Sequence, residues 1–260
     1  MKKPNKKYLK YFDNLYKTLE KLRGQDGSKW AKSQTSESLI PYFVEEVYEV
    51  VDSIDNKDWE NLSEELGDVL LHILFQCQIF SEKNIFDIEA VIIGIEKKLK
   101  QRNPNLFSKK NNSEIRTLDL SWESHKLLEK NRESRLDGVP KNLPSLLKAQ
   151  KLQEKASSVG LDWEKIENVW AKVEEELVEL KVAINNNDES NILEELGDIL
   201  FSITNLSRHL NVSAEDALRL SNKKFLSRFK IIEKKLKNDN LSFKDLDSDS
   251  IDKYWEESKL

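Results

Sequence analysis

Paired carboxylates are the residues best placed to do chemistry in this chain. The pentapeptide "EELGD" stands at Glu64–Asp68 and again at Glu194–Asp198, and at the same offset of 130 residues Glu45, Glu46 and Glu49 coincide with Glu175, Glu176 and Glu179. Residues three and four apart share one face of a helix. Glu176 then neighbours Glu179, and Glu195 neighbours Asp198; Glu46 with Glu49 and Glu65 with Asp68 repeat the pattern. If each segment closes as an antiparallel hairpin, the 16-residue separation of Glu179 and Glu195 brings both acidic pairs to a similar level on facing helices. Four carboxylates then converge. Like charges at close range raise one another's pKa, so such a cluster calls for a cation. Oxygen ligands without histidine or thiolate favour Mg2+ or Mn2+ over zinc, and Mg2+ keeps waters and substrate phosphate oxygens in its shell. A di-iron bundle would carry Glu-x-x-His pairs. Glu179 and Asp198 occupy those slots instead, which disfavours di-iron.

On its own, "EEELVEL" reads as a solvated helix face with i,i+4 partners such as Lys172 and Glu176. Duplication argues against that reading. Glu45–Leu71 and Glu175–Phe201 align without a gap and are identical at 13 of 27 positions, seven of them acidic, while the other 14 differ. Gly67 and Gly197 add a second argument, because glycine inside a helix costs about 1 kcal/mol relative to alanine. Close helix approach or a packing constraint at a metal site is the expected reason. Basic pairs at i,i+4 follow in each half, Lys98 with Arg102 and Lys224 with Arg228. Beside a metal cluster they are suited to neutralising and orienting phosphates, the arginine by bidentate contacts.

Helices must position these groups. The chain of 260 residues is long enough for two domains. Its 34% charged and 38% hydrophobic residues, with five prolines and seven glycines, suit long exposed helices better than sheets. Apolar residues recur at helical spacing in Phe43, Val44, Val47, Val50, Val51 and Ile54, and in Val173, Leu177, Leu180 and Ile184. "DNKD" at Asp55–Asp58 and "NNND" at Asn185–Asp188 interrupt the period and offer capping side chains, so each copy reads as a helical hairpin. Third helices are expected near Asp87–Arg102 and Ser213–Lys237, the first ending before Pro104. A helix from Ser121 to about Arg135 and the break "DGVPKNLP" lie between the halves. The expected organisation is all-α: two tandem helical-bundle domains at residues 1–115 and 144–260, joined by a linker at 116–143.

A net charge of -5 gives no reason to expect nucleic acid as a partner. Cys77 alone excludes an internal disulfide framework and fits a reducing compartment. The lysine-rich start is not followed by an unbroken apolar run, so no signal peptide or membrane span is expected and a cytoplasmic location is the default. His72, His125 and His209 show no ligand spacing and read as ordinary surface or packed residues.

The sequence resembles the MazG family of nucleoside triphosphate pyrophosphohydrolases, in its long form with two tandem domains. The resemblance runs through "KWAKSQT", "LIPYFVEEVYEVVDSI", "EELGDVL" and "KKLKQRNPNLF" in the first half. It continues through "LKAQKLQEKASSVGLDW", "VEEELVEL", "EELGDILFSITNLSRHL" and "NKKFLSRF" in the second. It implies an all-α fold that forms a homodimer and hydrolyses a nucleoside triphosphate to the monophosphate and pyrophosphate with Mg2+. The metal ligands of the second domain would be Glu176, Glu179, Glu195 and Asp198, with Glu175 or one of the ligands orienting the attacking water. Lys224 and Arg228 match phosphate-contacting positions, Lys172 matches a basic position one turn before the acidic motif, and Trp255 matches a tryptophan that covers the nucleotide. In long members the C-terminal domain usually carries the activity. The first domain keeps Glu46, Glu49, Glu65, Asp68, Lys98 and Arg102 as a second candidate site. Ser28 and Ala31 depart from the family's "CPWD" pattern, and Asn191 stands where some relatives have lysine. Two other readings are a non-catalytic helical interaction module and a related all-α pyrophosphatase specific for dUTP or a phosphoribosyl nucleotide.

Overall fold

The computed structural model describes residues 7–107 and 134–259. Every regular element among them is helical. They fall into two compact units, one within Met1–Ile115 and the other within Arg116–Leu260. No described helix is long and apolar enough to cross a membrane.

The first unit contains α1 (Lys7–Arg23), α2 (Lys29–Ser33), α3 (Ile40–Asn56), α4 (Trp59–Glu82), α5 (Ile88–Arg102) and the short α6 (Pro104–Phe107). α3 and α4 pack together as a hairpin, and α1 lies against α4. The core beneath them consists of Leu19, Ala31, Leu39, Leu74, Phe75 and Ile79. Burying each large apolar side chain contributes roughly 1.5–3 kcal/mol. Arg23 ties the corner: Nε and Nη2 donate to the Glu82 carboxylate at 2.8 Å each, and Nη1 donates to the Ala31 carbonyl.

The second unit contains α7 (Ser145–Ser157), α8 (Ile166–Asn185), α9 (Glu189–His209), α10 (Ala214–Asn238), a 3-10 turn at Phe243–Asp245 and α11 (Ser248–Glu257). α8 and α9 form the second hairpin, with α7 packed across α9. The nearly buried Gln153 fixes that crossing by donating from Nε2 to the Phe201 carbonyl at 2.8 Å.

Both hairpin turns are built alike. Lys57 and Asn187, 130 residues apart, take the left-handed conformation at φ 55° and 51°. The next residue caps the following helix, Asp58 accepting from the Asn61 N–H at 3.1 Å and Asp188 from the Asn191 N–H at 3.2 Å. Lysine tolerates this φ less readily than asparagine, so the shared conformation reflects the hairpin geometry rather than the residue. The third helices begin one residue after their expected starts, because Asp87 and Ser213 serve as N-caps. Pro41 lies in the first turn of α3, where no N–H is needed. The helix expected from Ser121 lies almost wholly outside the described residues, as does His125.

Two observations bear on what the hairpins face. A Cβ added at Gly67 or Gly197 would meet no atom within 4 Å. Among the described residues, close helix approach, one of the two reasons expected from sequence, therefore does not account for the two glycines. In addition, α5 buries none of its residues, and Val91, Ile92, Ile93, Ile95 and Leu99 are all exposed.

Candidate active site

In the second unit, one turn of α8 carries Glu176 and Glu179, and α9 brings Glu195 opposite. Carboxylate oxygens of the three lie within 4.8 Å of one another. Glu176 is only 4% exposed. Lys172, one turn earlier, reaches Glu175 at 2.8 Å and Glu176 at 2.7 Å. Those hydrogen bonds, to Glu175 first and Glu176 second, hold the ammonium above the ordinary lysine range. The remaining carboxylates repel. Sharing a hydrogen bond with Glu176 pushes Glu179 up, while loss of water and then the charges of Glu179, Glu176 and Asp198 push Glu195 up. The site therefore holds more negative charge than its one lysine offsets, and all its donors are hard oxygens.

Asp198 follows one turn after Glu195 and faces the same space. Together with Glu176 and Lys172 it lines a cavity of about 310 Å³ whose other walls are Trp163, Val169, Phe201, Ser202 and Asn205. Such a volume suits a small ligand, with charged groups at one end and mostly apolar walls beyond. At the far end Arg208 donates from Nε and Nη2 to Asn205 Oδ1, at 3.0 and 2.8 Å. Its guanidinium also grips both oxygens of Asp162, Nη1 at 2.8 Å from Oδ2. That fork, with a further contact from His209, holds the Asp162 carboxyl well below the usual carboxylate range.

The first unit repeats the carboxylates and changes their surroundings. Oxygens of Glu46, Glu49 and Glu65 lie within 4.8 Å of one another. Burial pushes Glu46 up, a hydrogen bond with Glu46 pushes Glu49 up, and loss of water followed by the Glu49 charge pushes Glu65 up. Asp68 adds its charge to Glu46 and Glu65. At the position of Lys172 this copy has Tyr42, and at that of Ser202 it has His72. The His72 Nε2 lies 3.8 Å from Glu46 Oε1 and its ring stacks on Phe43. Burial lowers its pKa. Asn205 is matched by Phe75, which is 4% exposed and packs edge-on against Trp30 at 6.2 Å.

The structure thus gathers Glu176, Glu179 and Glu195 into one cluster and sets Glu176, Asp198 and Lys172 along one cavity, with Glu175 paired to Lys172. Lys224, Arg228 and Trp255 do not line it. The Arg228 guanidinium lies 5.7 Å from the Trp255 ring centroid, and Trp255 instead borders a second cavity of about 390 Å³ with Phe225, Phe229 and Phe243. Lys98 and Arg102 sit on the last two turns of α5, the lysine exposed and the arginine half-buried. Sequence reasoning assigned no role to Trp163, Asn205, Asp162 or Arg208. Comparing the two copies at their fixed offset, where Asn205 faces Phe75, is the signal that would have marked one of them.

A helical hairpin that collects carboxylates beside a ligand-sized cavity defines an all-α protein with a candidate cation site. The model of the MazG nucleotide pyrophosphohydrolase domain matches residues 34–107 and 164–232, one segment in each unit, and the chain belongs to this family. It is 43% identical over 250 residues to the nucleoside triphosphate pyrophosphohydrolase/pyrophosphatase MazG of Thermotoga maritima, covering 95% of each chain. It is 35% identical over 258 residues to the nucleoside triphosphate pyrophosphohydrolase of Escherichia coli K12, covering 95% of this chain and 96% of that one. YabN of Bacillus subtilis is 39% identical over 251 residues, which span 95% of this chain and 51% of that protein.

Proposed function

We propose that this protein hydrolyses nucleoside triphosphates, ribo- or deoxyribo-, to the monophosphate and pyrophosphate, and that the C-terminal unit does so with Mg2+, for which Mn2+ can substitute. The supporting observation is the approach of Glu176, Glu179 and Glu195 within 4.8 Å of one another, with Glu176 lining a cavity beside Lys172 and Asp198. Family membership supplies the reaction.

The donor set fits a hard divalent ion: carboxylate oxygens only, with Glu179 pushed up by the hydrogen bond it shares with Glu176, and Glu195 by loss of water and then by its neighbours' charges. Glu176, Glu179, Glu195 and Asp198 would hold it. When bound, it supplies the charge that polarises the α-phosphate and lowers the pKa of an attacking water. Lys172, kept protonated, adds a donor for a phosphate oxygen. Glu175, which Lys172 holds at 2.8 Å, or one of the ligand carboxylates accepts the proton as the water oxygen bonds to the α-phosphorus. The bond from that phosphorus to the α,β-bridging oxygen breaks, and pyrophosphate leaves with its electron pair.

The active form is a homodimer in this reading. α5 fully buries no residue within its own unit, and five exposed large apolar residues on one helix call for a partner. Lys224, Arg228 and Trp255 contact the triphosphate once the assembly forms. The N-terminal unit, residues 1–115, retains its cation-binding carboxylates but not the basic and polar residues around them, and hydrolyses little.

Release of pyrophosphate from a panel of NTPs and dNTPs, with and without Mg2+, tests the proposal. Glu195→Gln should remove the activity. Failure of the intact protein to release pyrophosphate from any of them would return the carboxylates to a role in partner binding. Turnover confined to dUTP or to a phosphoribosyl nucleotide would select the narrower enzyme.

A further inference from the structure

The geometry points to Asn205 as the residue that reads the nucleobase, by donating its amide N–H to a carbonyl oxygen of the base, with Arg208 as the residue that fixes which way the amide faces. The inference rests on the reading that the triphosphate binds at the Glu176 cluster, and it names the bases that site prefers.

Arg208 decides which way the Asn205 amide faces. A guanidinium has donors and no acceptor. Two of its N–H groups meet a single atom of Asn205, at 3.0 and 2.8 Å, so that atom is the amide oxygen by necessity. Turning the amide over would set N–H against N–H. Asn205 Oδ1 is thus committed twice, and the NH2 group is turned away. Asn205 is 5% exposed, it lines the cavity, and its Nδ2 has no hydrogen-bond partner among the described residues. A nearly buried donor has therefore been left open toward the ligand space.

Arg208 cannot drift from this task, because Asp162 holds it by a two-point grip and both side chains are largely shielded. Asp162 also accepts the backbone N–H of Trp163 at 2.9 Å. Trp163 lines the same cavity, so one ion pair fixes both a flat apolar wall and the polar reader beside it. Seven residues separate Asp198 from Asn205 along α9, two turns or about 10 Å. That is the order of the separation between an α-phosphate and the far edge of its base across the ribose. The first unit has Phe75 at the matching position, packed on Trp30, and offers no such donor.

A fixed N–H pairs with the keto oxygen of uracil, thymine or guanine. It opposes the exocyclic amine that cytosine and adenine carry at the same place on the ring. A site built to hydrogen-bond one group rejects the analogue that leaves its buried donor unpaired.

The test compares kcat/KM for UTP against CTP and for GTP against ATP, each with Mg2+, in the intact protein, Asn205→Asp and Arg208→Lys. Binding of the α,β-methylene analogues is measured alongside. The intact protein should prefer the keto member of each pair by about tenfold or more. Asn205→Asp keeps one oxygen on Arg208 and turns an acceptor into the cavity, so the preference should invert. Arg208→Lys removes the fork, frees the amide to rotate and should bring the ratio toward one. Asn205→Ser, which shortens the donor, serves if the aspartate variant unfolds; it should lose the preference without reversing it. Equal ratios across all these proteins, in turnover and in binding, would overturn the inference while leaving the hydrolase reading intact. Analogue binding with the expected ratios but no hydrolysis of any triphosphate would overturn the hydrolase reading alone.

Discussion

Lys172 Nζ stands 2.7 Å from Glu176 Oε1 and 2.8 Å from Glu175 Oε1, so one ammonium serves two carboxylates of the acidic motif. The pairing places a cation on an otherwise uncompensated buried acid before any ligand arrives. Lys172→Met should raise KM for the triphosphate by about tenfold, the loss of one charge-assisted contact. Mg2+ affinity should not weaken, because the competitor for Glu176 has gone. Steady-state kinetics and calorimetric titration of Mg2+ separate the two effects, and a fall in Mg2+ affinity would show that Lys172 shapes the metal site instead.

Equivalent changes in the two halves should have unequal results. Asp198→Asn is expected to lower kcat by about 100-fold or more, the scale for groups that stabilise transition-state charge. Asp68→Asn should leave most of the activity, because the first unit places Tyr42 and Phe75 where the second has Lys172 and Asn205. The reverse outcome would move the working site into the first unit.

Raised carboxylate pKa values have a defined consequence for stability. Glu179 and Glu195 titrate above their ordinary value of 4.5 in the folded protein, so the fold favours their protonated forms. Their contribution is complete below the unfolded pKa and is lost as pH rises through the folded one. In EDTA, the melting temperature of Glu195→Gln minus that of the intact protein should therefore increase from about pH 4 to pH 7. Saturating Mg2+ should reverse the sign at neutral pH, since only the intact site binds it; at about 100 times Kd an ion adds about 2.7 kcal/mol. A difference that stays flat across this range would remove repulsion as the property of this cluster.

Asp162 behaves in the opposite sense. Arg208 holds its carboxyl well below the ordinary value of 3.8, so the stabilisation is present above that value and fades as pH falls toward the folded pKa. Asp162→Asn should cost about 1–3 kcal/mol in urea denaturation at neutral pH. The gap should narrow steadily on acidification. An equal gap at pH 7 and in strong acid would mean that packing, not the ion pair, is lost.

The acidic cluster was legible because helical periodicity turns sequence spacing into position. Glu176 with Glu179 and Glu195 with Asp198 lie within single turns, and the capped loops at Asp58 and Asp188 set the register of the two helices. Duplication supplied the contrast between kept and changed positions. Nothing comparable marks Asp162, Arg208 and Asn205, where a polar triad joins a loop to a helix 46 residues away. That contact depends on how α9 rotates toward the loop, which no local pattern encodes. Lys224 and Arg228 were paired correctly as helix neighbours, but i,i+4 spacing says only that they share a face, not what that face meets. The glycines were legible only in part for a related reason: helix propensity identifies Gly67 and Gly197 as unusual without choosing between close helix approach and a constraint at a metal site.

Those two glycines leave a weak rung in each hairpin at the same height. A campaign to harden this protein by swapping helical glycines for alanine would choose positions 67 and 197 first, finding open space around both. Position 197 sits between Glu195 and Asp198. Two residues of helix turn it about 200° away from Glu195, so a methyl group there would point off the acid-bearing side of α9 and should harden the helix without touching the carboxylates.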